Sequence, residues 1–270
     1  MVLCRELRGD MRRVVEQVAS LLRSGFGDED YSRVIGVGVG GDQSRYIDVV
    51  AEEHIVKGIQ GLGTRAWVVS EERGVWALSS KPEVVFLVDP LDGSLNYVLR
   101  IPFASISIAA YPVGASIVEP FYGVVYNIFT GDSIELCDGE VFFNGVKVNS
   151  YLGLEEGYNV LSVYTENLEH LEKIKRAFGE GPGSLKIRVM GSASIEASYA
   201  ALGLIGHFAH LTGKVRNVDI AVALALAHRL GAGLYTDPPL RDMRIDAVER
   251  VNKLIIARRE SPIWKVVNEL

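Results

Sequence analysis

Cysteine is nearly absent from this 270-residue chain: only Cys4 and Cys137 occur, far apart and outside any metal-ligand spacing. That scarcity excludes a disulfide-dense secreted scaffold and a thiolate zinc site, and predicts two free thiols in a reducing cytoplasm, with a Cys4–Cys137 disulfide the lesser alternative. Positive charge is short as well. With 28 Lys and Arg against 34 Asp and Glu the formal charge is -6, which argues against a nucleic-acid binder. No apolar run reads as a membrane span, because Pro102, Pro112, Gly114, Glu119 and Pro120 punctuate the one suspect stretch, residues 101–129, into strands. A signal peptide is not expected either. Arg5, Glu6, Arg8 and Asp10 interrupt the N-terminal segment, where Leu7, Met11, Val14, Val15, Val18 and Leu22 have the spacing of an amphipathic helix. Low-complexity tracts and internal repeats are missing too. What remains, 48% hydrophobic and 23% charged, suits a soluble enzyme of one or two closely packed domains.

Against this background one segment stands out. Residues 84–96 read VVFLVDPLDGSLN: an apolar, β-branched run that predicts a buried strand, then Asp89-Pro90-Leu91-Asp92-Gly93-Ser94, which predicts a turn at its mouth. Two carboxylates three residues apart on such a turn can share one small volume with the Leu91 carbonyl, while Gly93 and Ser94 offer N–H groups to an anion. A cation site beside a phosphate site is the chemistry this pattern suggests; an exposed Asp-Gly turn is the plain alternative. Other acids at element ends strengthen the first reading. Val68-Val69-Ser70-Glu71-Glu72 is a second short strand ending in carboxylates, Asp219 opens an apolar helix, and Asp48 falls at another helix start.

These residues resemble the inositol monophosphatase and archaeal-type fructose-1,6-bisphosphatase family of lithium-sensitive, Mg²⁺-dependent phosphatases. Asp89 through Asn96 match its Asp-Pro-(Ile/Leu)-Asp-Gly-(Ser/Thr)-x-Asn hallmark, Glu71-Glu72 its Glu-Glu pair, and Asp219 its later acid; Gly191-Ser192-Ala193 is a supporting match. The resemblance implies two or three Mg²⁺ ions, with Mn²⁺ as a substitute, and the all-oxygen donor set agrees. Glu71, Asp89 and the Leu91 carbonyl would hold a first ion, and Asp89, Asp92 and Asp219 a second; a third would lie near Glu71 and Asp48. Ser94 and Asp48 would orient a metal-activated water, with Glu71 completing the catalytic set and no phosphoenzyme formed. Ser94 also reads as a helix cap. Glu72 is either a supporting acid or a solvated one.

Substrate contacts are expected from Asp92, Gly93, Ser94, Gly191, Ser192 and Ala193, with Arg188 a further candidate that reads equally as a solvated charge. Gly191-Ser192-Ala193 also reads as a plain helix start. Two departures from archaeal relatives stand in this chain: Gly40 where an acid is common, and Thr212 where an arginine is common. They bear on lithium behaviour and on recognition of a second phosphate, respectively. The implied fold is α+β, a layered α-β-α-β-α sandwich, with residues 1–150 carrying most of the acids and residues 151–270 carrying Asp219 and substrate contacts. A small-molecule phosphate ester is the implied partner, and a homodimer the implied assembly.

Periodicity by itself yields only mixed α and β. It predicts helices to about residue 24 and at 46–60, strands near 67–70 and 84–89, and consecutive antiparallel strands over 104–148. Beyond 159 it predicts strand, helix at 167–178, strand at Ile187, helix from Ala193, strand at 206–210 and helix at 219–230, hence a sheet covered by helices. Residues 179–184 read as a loop. Gly36-Val-Gly-Val-Gly-Gly41 formally satisfies a dinucleotide-binding glycine pattern, but no helix follows it directly, and a glycine hairpin leading to Asp48 is the better reading. His207 and His210 fall on opposite faces of a strand and cannot chelate together. The functional readings are a Mg²⁺-dependent phosphomonoesterase for inositol monophosphate and fructose 1,6-bisphosphate, a nucleotide 3'-phosphatase on the same scaffold, and a non-catalytic nucleotide- or metal-binding regulatory protein.

Overall fold

The computed structural model describes residues 4–39, 41, 43–153, 159–179 and 184–270. Gly40 and most of the 179–184 loop lie outside the described residues. Helix α1 (Cys4–Ser24) buries Leu7, Met11, Val15, Val18 and Leu22 along one face, as its spacing predicts. A single turn, α2 (Glu29–Ser32), leads to a hairpin of β1 (Val34–Val37) and β2 (Gln43–Arg45) and then to α3 (Tyr46–Gly61). A strand, β2, paired antiparallel with β1, therefore follows the glycine-rich segment, where a dinucleotide fold would have a helix.

The large sheet comes next in sequence. It contains β3 (Ala66–Ser70), β4 (Gly74–Ala77), β5 (Val84–Asp92), β6 (Ser105–Pro112), β7 (Tyr122–Asn127), β8 (Ser133–Cys137), β9 (Glu140–Phe143) and β10 (Val146–Val148), in the order β10-β9-β8-β7-β6-β5-β3-β4. All its pairs are antiparallel except β3 with β5. The predicted turn at Asp89 is displaced: β5 continues through Pro90 to Asp92, with a register shift against β6 between Asp89 and Asp92. The ladder irregularity admits the proline, which has no N–H to donate. The chain turns at Gly93, whose φ of 92° favours glycine, into the short α4 (Ser94–Val98).

The remaining elements are β11 (Asn159–Tyr164), α5 (Leu168–Phe178), β12 (Leu185–Arg188), α6 (Ala193–Leu202), β13 (His207–His210), β14 (Val215–Arg216), α7 (Asn217–Leu230), β15 (Gly233–Asp237), β16 (Arg250–Val251) and β17 (Lys253–Ala257). A five-stranded sheet orders β12-β11-β13-β17-β15, parallel across the crossovers through α5 and α6 and antiparallel at the β17 pairs. Expectation stopped at residue 230, so β15 and β17, which complete this sheet, were not foreseen.

Three cores define five layers. One packs α1 and α3 on the large sheet, a second packs its other face against α6, α7 and the smaller sheet, and a third packs the smaller sheet against α5 and the C-terminal segment. The layered α-β-α-β-α sandwich is thus present. Its central helix is diagnostic: every residue of α7 from Asn217 to Ala227 is buried, because a helix between two sheets has no solvent face to supply with polar residues. By contrast α5, on the outside, buries only Ile174, in line with its charge-rich sequence.

The cysteine expectation is overturned. Cys4 and Cys137 form a disulfide, with Cα atoms 5.7 Å apart across a sequence separation of 133. The start of α1 packs at the end of β8, so tertiary packing brings together two residues whose distance along the chain suggested independence. The inference of a reducing compartment falls with the free thiols. No helix among the described residues is long and apolar enough to cross a membrane.

Candidate active site

Parallel pairing of β3 with β5 aligns Ser70 with Val88, so the next residues along, Glu71 and Asp89, emerge side by side at the same sheet end. That is where parallel strands usually present their ligands. The N-terminus of α7 then delivers Asp219. One oxygen from each of Glu71, Asp89 and Asp219 lies within 4.8 Å of the others. These acids come from the ends of two strands and a helix spread over nearly 150 residues of chain.

Two helix starts are built alike. At α7, Arg216 occupies the N-cap and its N–H donates to Asp219 Oδ2 at 2.8 Å; at α3, the N–H of Arg45 donates to Asp48 Oδ2 at 2.9 Å. An acid at the third helical position relieves the exposed backbone donors of the first turn and opposes the helix dipole favourably. Asp48 is buried, and its Oδ1 has no hydrogen-bond partner among the described residues. Burial, followed by repulsion from Glu72, pushes its pKa up to about 8.

The other acids are more crowded. Burial and then the Asp219 charge hold the Glu71 pKa well above the ordinary carboxylate value; burial and then Glu71 and Asp219 do the same to Asp89. The nearest compensating charge is the buried Arg216, whose Nη1 is 2.5 Å from Glu71 and 4.0 Å from Asp219. Among the described residues, one guanidinium beside three desolvated carboxylates leaves an excess of negative potential. A purely oxygen donor set in such a field suits a hard divalent cation, and the residues present therefore fit Mg²⁺ or Mn²⁺.

Asp92 lies apart from that trio and faces the start of α6. Its Oδ2 accepts from the Ser192 hydroxyl at 2.5 Å, the Ser194 hydroxyl at 2.6 Å and the Ser194 N–H at 2.7 Å, while Oδ1 accepts the Ala193 N–H at 3.2 Å. The expected presentation of the 191–193 turn to a substrate is accordingly changed. Ser192 is fully buried with its hydroxyl on Asp92, and Gly191 and Ala193 alone of the three line the cavity. Ser94 also differs from expectation: Gly93 holds the N-cap position, and Ser94 is the first helical residue, at the cavity wall.

The acids surround a cavity of about 480 Å³ whose wall includes Asp48, Glu71, Asp89, Leu91, Asp92 and Asp219. Glu72 and Gly93 line it too. Arg188 does not: it is exposed at the end of β12, donating to the carbonyl of Ile187. Thr212 is likewise outside the wall, its hydroxyl accepting from the N–H of Lys214. The wall also contains Arg45, Tyr164, His210, Lys214 and Arg216, none of which had been singled out as site residues. Arg45 and Arg216 carried a signal, the repeated Arg-x-x-Asp spacing at Asp48 and Asp219. Tyr164 and His210 carried none; they stack with ring centroids 4.9 Å apart because β11 and β13 pair in register there.

The model of the inositol monophosphatase family matches residues 10–260. The chain is 31% identical over 270 residues to an inositol-1-monophosphatase of Aeropyrum pernix, covering 97% of this chain and 96% of that protein. It is 30% identical to a fructose-1,6-bisphosphatase/inositol-1-monophosphatase of Methanothermobacter thermautotrophicus, over 85% of this chain and 84% of that protein. A crystal structure of an inositol monophosphatase-fructose 1,6-bisphosphatase superposes with a TM-score of 0.79 at 25% identity, covering 97% of this chain and 99% of the other. The chain belongs to the inositol monophosphatase family and is a phosphoric monoester hydrolase. Enzymes of this family depend on metal ions, generally Mg²⁺.

Proposed function

We propose that this chain hydrolyses inositol monophosphate, with fructose 1,6-bisphosphate as a second substrate, in a reaction that requires two or three Mg²⁺ ions or Mn²⁺ in their place. The observation that carries this reading is the convergence of Glu71, Asp89 and Asp219 on one desolvated point beside the Arg216 guanidinium. These three, with the Leu91 carbonyl and Asp92, would hold the ions. Bound there, divalent cations lower the pKa of a water and neutralise charge on the departing alkoxide.

The chain's own groups complete the reaction. Asp48, whose buried Oδ1 has no hydrogen-bond partner among the described residues, and the Ser94 hydroxyl orient the attacking water, while the backbone at Gly93 and Ser94 receives phosphate oxygens. Water is the nucleophile and no covalent intermediate forms on Ser94. Gly191 and Ala193 face the sugar or cyclitol, and the stacked rings of Tyr164 and His210 wall the same cavity. In this reading residues 1–150 and 151–270 act as subdomains and the substrate binds between them. A homodimer is included: Leu95, Leu99 and Ile101 of the α4 region and Val189 are exposed, and Asn96 bonds the Met190 carbonyl, so these apolar side chains belong to neighbouring segments.

Phosphate release from inositol 1-phosphate, fructose 1,6-bisphosphate and a nucleotide 3'-phosphate, with and without Mg²⁺, tests the assignment. Mg²⁺-dependent turnover greatest on the first supports it. Preference for the nucleotide, or turnover indifferent to chelators, would replace it. Light scattering of the purified protein decides on the dimer, and a monomeric mass would remove that part.

A further inference from the structure

One buried carboxylate has no part in the reaction just described and yet collects five donors. Glu196, on the first turn of α6, is fully buried and absent from the cavity wall. Its Oε1 accepts the N–H groups of Gly191 at 2.9 Å and Ser192 at 3.2 Å together with the Tyr164 hydroxyl; its Oε2 accepts the Met190 N–H at 3.2 Å and the Ser162 hydroxyl. Every partner donates, which suits an acceptor-only carboxylate and no other side chain of that size. Three consecutive backbone N–H groups of the 190–192 turn thus converge on one side chain.

The same turn is gripped from the opposite side by the metal-site motif. Asn96 Nδ2 donates to the carbonyls of Met190 and Phe103 at 2.7 and 2.8 Å. Gly191, at φ 94°, passes so close that a Cβ there would lie 2.5 Å from Asn96 Nδ2, and a Cβ on Gly93 would lie 2.9 Å from the Gly191 carbonyl. Beyond the turn, residues 192–194 supply four hydrogen bonds to Asp92. The direction in which Asp92 points is therefore set by where the 190–194 turn lies, and that in turn is set by Glu196.

We infer that Glu196 is a positioning residue for Asp92: by holding the N–H groups of Met190, Gly191 and Ser192 it fixes the turn that clamps Asp92 in its working orientation across the two halves of the chain. This rests on the phosphatase reading above. A partner one step removed from a metal-binding group commonly changes metal affinity or activity by about 10- to 100-fold when replaced.

The test uses the full-length protein. Glu196→Gln keeps the volume but, whichever way the amide is turned, places its NH₂ against at least one backbone N–H that can only donate. Its expected phenotype is a kcat about 10- to 100-fold below wild type on inositol 1-phosphate and a raised Mg²⁺ half-saturation, in protein whose circular dichroism is native. Ser192→Ala removes one clamp on Asp92 directly. If Glu196 acts through that clamp, the double variant is little worse than the poorer single one; multiplying effects would overturn the inference. So would a folded Glu196→Gln enzyme with kcat and Mg²⁺ dependence within about twofold of wild type, the outcome expected of a purely structural acid. Ser198→Ala, on the same helix with a buried hydroxyl that has no hydrogen-bond partner, serves as the unaffected control.

Should Glu196→Gln fail to fold, Ser162→Ala removes one donor from the cluster, outside the cavity wall, and a several-fold fall in kcat is expected; an unchanged kcat would refute the role. If wild-type protein hydrolyses none of the esters, the phosphatase reading is what fails. Calorimetric Mn²⁺ binding by wild type and Glu196→Gln then decides on Glu196: weaker binding by the variant supports it and equal binding defeats it.

Discussion

Breaking the Cys4–Cys137 bridge should lower thermal stability by an amount that follows from chain length. The closed loop spans a sequence separation of 133. In the chain-entropy account, releasing a loop of that size frees the unfolded state by about 5 kcal/mol at 25 °C. A 270-residue protein has an unfolding entropy of roughly 0.57 kcal/mol/K, so the midpoint should fall by about 9 °C. Both cysteines are buried, at 1% and 6% exposure, and reduction of the native protein will be slow. The comparison is best made between oxidised protein and protein unfolded, reduced and refolded under reductant, or with the Cys4→Ala/Cys137→Ala double variant. Calorimetry supplies the midpoint, and thiol titration in denaturant should count none before reduction and two after. Activity at 25 °C should stay within about twofold, because α3, which presents Asp48, keeps Ile47, Ala51, Ile55 and Ile59 buried without the staple. A midpoint shift under 2 °C, or two thiols titrating in unreduced protein, would refute the reasoning.

Two further outcomes follow from the buried ionisable groups. His207 is fully buried, and burial, then Arg258, holds its pKa down at about 3. A histidine kept neutral by the fold contributes its full stability above its unfolded pKa of about 6.5 and loses it as pH falls toward the folded value. At pH 5 the loss is about 2 kcal/mol, so the stability difference between wild type and His207→Phe, measured by urea unfolding at saturating Mg²⁺, should shift by that amount between pH 7.5 and 5; a pH-independent difference would discredit the assignment. Asp89→Asn removes a desolvated charge repelled by Glu71 and Asp219. Turnover should drop by about a thousandfold while the chelator-treated protein becomes no less stable, and an active but destabilised variant would contradict the crowded-acid account.

The acids that the fold gathers were legible from local sequence. Glu71, Asp219 and Asp48 stand at element ends and Asp89 follows an apolar run, while runs such as residues 84–88 or the apolar stripe of α1 betray their elements through local periodicity. Less could be read where local pattern and final position diverge. Pro90 and the Asp-Gly step resemble a turn, yet the sheet carries β5 to Asp92 because an irregular ladder tolerates the missing donor. Ser192 looked like a substrate contact and is instead spent on Asp92. Arg188 looked equally suited to substrate or solvent and meets solvent.

The chain by itself determined which acids exist and that they fall at or near the ends of strands and helices, since these depend on residue type and near neighbours. Tertiary structure alone decided that Glu71 and Asp89 stand abreast, through the parallel pairing of β3 with β5, and that Arg216 is their compensating charge. It also joined Cys4 to Cys137 and gathered the 190–192 backbone on Glu196. Such contacts link segments many residues apart, and their geometry comes from how sheets and helices stack, for which no local spacing carries a signal.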